Sequence, residues 1–220
     1  VKKDVLKSLK KKNNQTYYLS LTEPQFKAYS ETRQKMSLGK DSLKFFGELM
    51  SICNEFKEHS SKLDFAEELI EKITLSEEKV VVFSYSISPL HSLKTRLNNT
   101  YNEEFSQIYE GSMDSKQRNL AIKIFQNDEK VRCLLCSGKI AGEGLNLTEA
   151  NHVIFINEWW NPSSNRQAED RVLRIGQSKE VNIYHLRCKF TVEERLDEIL
   201  QGKIQLTNEV VENLVNQEGN

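Results

Sequence analysis

The sequence predicts a doubly wound α/β domain, a parallel sheet with helices on both faces, preceded by a helical segment. Two observations carry this. From Lys79 onward, short apolar and β-branched runs alternate with amphipathic stretches roughly every twenty to thirty residues, the rhythm of repeated strand–helix units. Several of those runs are continuous rather than alternating, as expected when helices cover both faces of a parallel sheet.

The predicted strands are Val80 to Ser84, Phe105 to Tyr109, Val131 to Cys136, His152 to Ile156 and Val181 to Leu186. Between them, Ser88-Pro89 reads as an N-cap followed by a first-turn proline, opening a helix with Leu90, Leu93 and Leu97 on one face. Asp114 caps a helix containing Leu120, Ile124 and Phe125, and Ser163 or Ser164 caps the helix bearing Arg171 and Arg174. Thr191-Val-Glu-Glu has the form of a capping box leading into Leu196, Ile199 and Leu200, and Ile204 to Val215 is predicted helical.

Residues 1–78 differ in kind. Tyr17 to Leu21 has the makings of a short strand, and Thr22-Glu-Pro-Gln is a strong helix start leading into Phe26, Tyr29 and Met36. A break at Ser37-Leu-Gly-Lys precedes a helix around Leu43 to Phe56, then Ser60-Ser61 and a helix with Leu63, Ala66, Ile70 and Ile73. The predicted organisation is a helical prelude over 1–60, a main α/β domain over 61–203, and a helix with a frayed tail over 204–220.

Bulk properties exclude several classes. With 31 Lys and Arg against 32 Asp and Glu, net charge neither draws nor repels nucleic acid. Residues 1–12 are basic, with six lysines against Asp4, either a solvated tail or an arm for phosphates. No apolar run reaches membrane-spanning length and no signal peptide is present, so a soluble, intracellular protein is expected, in prokaryotic cytoplasm or a eukaryotic nucleus. The start at Val rather than Met reads as a piece of a longer chain. Cys133-x-x-Cys136 lies inside an apolar run without a second pair or spaced histidine, and His59, His91, His152 and His185 form no metal-ligand spacing, so no metal is expected.

In open α/β sheets ligands bind beyond the carboxyl ends of the strands, and the chemistry-bearing segments here fall there. Ser84-Tyr85 ends the first strand of the domain, Glu110-Gly111-Ser112-Met-Asp follows the second, and Ser137-Gly-Lys139-Ile-Ala-Gly142-Glu-Gly144-Leu-Asn146 follows the third. Glu158-Trp159-Trp160-Asn-Pro follows the fourth. Glycines 138, 142 and 144 allow backbone N–H groups to approach phosphate oxygens, although a plain tight turn has the same composition. On a helix, Gln167, Arg171 and Arg174 share a face: an amide to orient water and two cations to neutralise developing charge. A solvated face with Arg171 and Arg174 paired to Glu169 or Asp170 has the same spacing.

The strings Ala-Gly-Glu-Gly-Leu-Asn-Leu, Trp-Trp-Asn-Pro and Gln-Ala-Glu-Asp-Arg-Val-Leu-Arg-Ile-Gly-Gln strongly resemble the Swi/Snf-type DNA translocase ATPases, a branch of helicase superfamily two. Leu49 to Asn54, Ser61-Lys-Leu, Lys79 to Tyr85, Glu110 to Asp114, Arg118 to Phe125 and Thr191 to Arg195 occur in the family's order, so the resemblance covers roughly residues 15–203. It implies a RecA-like C-terminal lobe that completes an ATP site with an N-terminal RecA-like lobe, with double-stranded DNA crossing both. Arg171 and Arg174 match motif VI and its arginine fingers, and Gln167 its leading glutamine. Gly142, Gly144, Asn146 and Asp170 fall on the nucleotide side. Ser84, Tyr85, Gly111, Ser112, Ser137, Lys139 and Trp160 fall on the DNA side, while Trp159 suits a packed interior.

This chain has Ala141-Gly142 where many members have two adjacent glycines. It contains no G-x-x-x-x-G-K-[ST] and no Asp-Glu-x-His, so the resemblance assigns the phosphate loop and Mg²⁺ to a first lobe outside the sequence, and implies no ATP turnover by this lobe alone. Two other classes stand beside it: a non-catalytic DNA- or protein-binding module using the same rim, and a Rossmann-like enzyme, which would need a G-x-G-x-x-G where Ser84-Tyr-Ser-Ile-Ser stands.

Overall fold

The computed structural model describes residues 11–38, 42–102, 104–137, 145–159 and 161–198. Six parallel strands form one sheet: β1 (Lys12–Leu19), β2 (Val80–Ser84), β3 (Ser106–Tyr109), β4 (Cys133–Ser137), β5 (His152–Phe155) and β6 (Val181–Cys188), in the order β1-β6-β5-β2-β4-β3. The helices are α1 (Glu23–Leu38), α2 (Ser42–Asn54), α3 (Ser61–Leu75), α4 (Ser88–Thr100), α5 (Ser115–Asn127) and α6 (Pro162–Val172), with residues 192–198 also helical. This is the RecA-like, doubly wound arrangement expected. The predicted helix over 204–220 lies outside the described residues.

The continuous apolar runs are explained by burial on both sides. Val80 and Val82 face a core with Leu63, Ile70, Leu90, Leu93 and Leu97 from α3 and α4. Val81 and Phe83 face the opposite core, with Phe125 from α5 and Ala168 and Val172 from α6. The same alternation separates Cys133 from Cys136, which lie in opposite cores, so no single metal can take both. Burial alone pushes the Cys133 thiol up, and Cys136 follows for the same reason.

The structure corrects several local expectations. The first strand runs over Lys12–Leu19, earlier than Tyr17 to Leu21, and pairs with β6 at the sheet edge, so the segment read as a helical prelude supplies a strand. Its first five residues were hidden because an edge strand needs only one backbone partner and keeps polar side chains such as Asn13 and Asn14 in water. Ser88 is not the cap of α4: Ile87 occupies that position without a side-chain bond, and Ser88 Oγ donates to Glu55 Oε2 at 3.0 Å. Asn161, rather than Ser163 or Ser164, caps α6, with Pro162 in the first turn. Asp114 does cap α5, in a capping box with Gln117.

Helices α1, α2 and α3 are joined to the sheet by buried polar side chains. Gln25, fully buried, donates to Ile52 O (2.7 Å), accepts from Ser61 N (3.0 Å), and closes the Thr22 capping box at the start of α1. Lys62, also fully buried, donates to Asn54 Oδ1 (3.2 Å), Ile156 O (2.8 Å) and Glu193 Oε1 (2.5 Å). Glu193 Oε2 accepts from Cys188 N at 3.0 Å. Among the described residues no helix is long and apolar enough to cross a membrane.

Lys62→Ala leaves the Glu193 carboxylate buried without its cation and is expected to lower stability by about 3–5 kcal/mol in urea unfolding. A loss below about 1 kcal/mol, the range of exposed ion pairs, would contradict this.

At the opposite end of the sheet, burial raises the Glu78 pKa, but hydrogen bonds from His152 (2.6 Å), Lys179 (2.9 Å) and Asn151 (3.0 Å) outweigh it and bring it down from 4.5 to about 2. A folded-state pKa below the unfolded one stabilises above about 4.5, and the gain is lost as pH falls toward about 2. The gap in thermal midpoint between wild type and Glu78→Gln should therefore be widest near neutral pH and narrow across that window. A gap independent of pH would contradict it.

Candidate functional site

The strand order reverses at β2, which has β4 on one side and β5 on the other, and the crevice beyond such a reversal is where open α/β sheets bind ligands. A cavity of about 810 Å³ opens there, lined by Tyr85, Ile87, His91, Glu110, Gly111, Ser112, Ser137 and Trp159. The structure thus gathers Tyr85, Gly111, Ser112 and Ser137 from the ends of three strands into one rim, with Ser84 buried behind them. Lys139, Gly142, Gly144 and Trp160 lie outside the described residues. Trp159 both lines the cavity and packs on Phe83 and Phe155, with ring centroids at 6.4 and 6.3 Å.

The rim is polar and partly anionic. Ser112 Oγ donates to Glu110 Oε1 (2.6 Å) and His91 Nε2 lies 2.9 Å from Glu110 Oε2. The Ser112 bond holds the Glu110 carboxyl below its ordinary range, against a desolvation penalty and with His91 assisting. Tyr85 is half-buried: burial raises its phenol above the ordinary value, and a hydrogen bond from the Asn54 side chain opposes that. Its backbone N donates to Asn157 Oδ1 at 2.7 Å.

The second cluster lies on α6 and just beyond it, and none of its members lines the rim cavity. Gln167 and Arg171 are one turn apart on α6, Gln167 and Asp170 are exposed, and Arg171 is half-buried. Arg174 departs from expectation. Helix α6 ends at Val172, Leu173 turns away at ψ 72°, and Arg174 sits past the helix, so it shares no helical face with Gln167 and Arg171. The cause is a staple to the segment before β5. Leu147 N donates to Arg171 O (3.0 Å), Arg174 Nη1 to Leu145 O (3.2 Å), and the Gln177 amide to Ala150 O (2.8 Å) and Thr148 O (3.2 Å). Asn146 is exposed beside Leu145, and its own carbonyl accepts from Gln126 of α5 at 2.9 Å.

Among the described residues one group has metal-ligand chemistry: the donor atoms of Cys53, Cys188 and Glu193 lie within 4.8 Å of one another. The hydrogen bond to Cys188 and then burial push the Cys53 thiol up, and Glu193 already faces the Lys62 ammonium. A cation there would meet a like charge, so the cluster is a packed junction.

The model of the helicase conserved C-terminal domain matches residues 61–176, more than half of the chain. An uncharacterized ATP-dependent helicase of Mycoplasma genitalium is 31% identical over 231 residues, covering 98% of this chain and 22% of its own length. The Arabidopsis thaliana protein Chromatin Remodeling 8 is 32% identical over 235 residues, 97% of this chain and 20% of its own. Among solved structures, the Sulfolobus solfataricus SWI2/SNF2 ATPase core in complex with double-stranded DNA superposes with a TM-score of 0.75 at 27% identity, over 89% of this chain and 45% of that one. The chain is a helicase C-terminal domain of the Swi2/Snf2 type. It spans about a fifth of the length of these curated relatives.

In this helicase domain, sequence reasoning passed over Gln177, Asn157 and Lys62 as individual residues. Gln177 had a signal: it follows Gly176, whose φ of +108° suits glycine alone. Asn157 carried none and Lys62 only its place in the Ser61-Lys-Leu string, since nothing local tells a buried polar residue from a wet one.

Nothing lies within 4 Å of a Cβ placed on Gly176, so Gly176→Ala isolates the backbone cost. The expected loss is about 1–3 kcal/mol in urea unfolding. Unchanged stability would mean the Arg174–Gln177 turn tolerates a different φ.

Proposed function

We propose that this chain is the C-terminal RecA-like lobe, spanning 61–203, of an ATP-dependent double-stranded DNA translocase. It supplies Arg171 and Arg174 as arginine fingers, with Gln167, to an ATP site completed by an N-terminal RecA-like lobe of the same protein. The observation that carries this reading is the staple between α6 and residues 145–150. It ties the arginine segment to the stretch just before β5, so Arg171 and Arg174 are carried on a frame anchored to the sheet.

The residues fit one end of the nucleotide. Two guanidinium groups and an exposed amide, with Asn146, Asp170 and glycines 142 and 144 nearby in sequence, suit the terminal phosphate. The same two cations disfavour Mg²⁺, which belongs with the first lobe. ATP supplies the phosphoanhydride bond whose hydrolysis drives movement. This lobe's arginines neutralise charge developing on the phosphoryl oxygens, and Gln167 orients the attacking water. Ser84, Tyr85, Gly111, Ser112, Ser137, Lys139 and Trp160 form this lobe's part of the DNA track. The cavity beyond the β2 reversal supports that assignment, as does the double-stranded DNA complex of the Sulfolobus relative.

The test is steady-state ATP hydrolysis with and without duplex DNA. In the two-lobed protein, Arg171→Ala and Arg174→Ala should each lower turnover by about 10³ to 10⁵-fold. The 220-residue chain alone should not turn over ATP. Ordinary turnover in both variants would return the arginines to a solvated surface. Robust hydrolysis by the single lobe, abolished by Arg174→Ala, would refute the divided site.

A further inference from the structure

Tyr85 is the only aromatic side chain besides Trp159 among the described residues lining the rim cavity, and it is held from two sides. Its backbone N donates to Asn157 Oδ1 (2.7 Å), and Ser84 Oγ lies 3.0 Å from the same oxygen. The Asn54 side chain hydrogen-bonds its hydroxyl, and the Asn54 carbonyl oxygen in turn accepts from Lys62 at 3.2 Å. Lys62 also bonds Ile156 O, the carbonyl immediately before Asn157. Asn54, Lys62 and Asn157 are each at least nine-tenths buried, so none of them reaches DNA. The two arms therefore close a ring: Asn157 holds the Tyr85 backbone, Asn54 its hydroxyl, and Lys62 joins the two supports.

We infer that Asn157 and Asn54 are positioning residues that fix Tyr85 in the rim for DNA, and that they set how well DNA engages without taking part at the nucleotide. The physical reason is geometric. The backbone bond fixes where the chain leaves β2, and the hydroxyl bond fixes the ring's rotation, so losing either lets the ring leave the wall it forms. Preorganised contact surfaces bind more tightly because less freedom is lost on association. The lack of overlap between the rim cavity and the α6 segment keeps the effect on the DNA side.

This rests on the translocase reading, and the experiment separates the two. The DNA concentration that half-maximally stimulates ATP hydrolysis is measured in the two-lobed protein, together with the DNA-free rate and the KM for ATP. Asn157→Ala should raise that concentration about tenfold, the size expected for losing the bond that holds the Tyr85 backbone, with the DNA-free rate and KM unchanged. Asn157→Asp, which keeps the acceptor, should restore it. Asn54→Ala, which leaves the Asn157 contact intact, should shift it in the same direction, and it decides the matter if Asn157→Ala does not fold. Stimulation in wild type with no shift in these alanine variants overturns the inference and leaves the translocase reading standing. An equal fall in DNA-free and DNA-stimulated rates overturns it too, because a general loss of structure moves both. No stimulation in wild type removes the reading itself.

Discussion

A single ammonium group, that of Lys62, ties the carboxyl edge of the sheet to everything packed around it. Its three N–H groups go to Asn54 at the end of α2, Ile156 just past β5 and Glu193 after β6. All three donors are spent, which is the condition for keeping a charge out of water at acceptable cost. Because the partners come from segments distant in sequence, the charge is satisfied only when all of them are in place. The same three points frame the exits of β5 and β6 and the loop after β2, so the shape of the rim follows from it.

The polar organisation of the molecule lies at the two ends of the strands, while the middle of the sheet is apolar on both faces. At the carboxyl end, Asn157 and Lys62 shape the cavity wall; at the other, Glu78 collects His152, Lys179 and Asn151. The rim and the arginine segment are separate clusters, and the bonds between 145–150 and the end of α6 anchor the second of them.

Much of this was legible from residues alone. Strands from Val80 onward stood out because burial on both faces demands unbroken apolar runs, and Asp114 announced its helix as a capping residue ahead of Leu120, Ile124 and Phe125. The gathering of Tyr85, Gly111, Ser112 and Ser137 followed from their places after strands. What escaped shares one cause: it is decided by distant partners. The Lys12–Leu19 strand exists because β6 offers an open edge, and α6 stops at Val172 because the Arg174–Gln177 segment turns back to carbonyls before β5. Leu173 and Arg174 are good helix formers, and the local stop signal, Gly176, falls beyond the observed end. Lys62 looked like any charged residue in a first turn.

The pairing of β1 with β6 has a consequence for biosynthesis. Among the described strands, β1, the earliest in sequence, hydrogen-bonds along its whole length with β6, the latest, so this register closes only after residue 188 has emerged. Until then β1 is an unpaired ribbon, and the β2–β4 centre must hold together without its flank. Closing a loop of that length is slow because the entropy is surrendered before any contact repays it. The exposed, polar character of Asn13 and Asn14 then reads as protection during the wait: a strand that waits for a partner so far along the chain gains by being unattractive to its neighbours on other ribosomes.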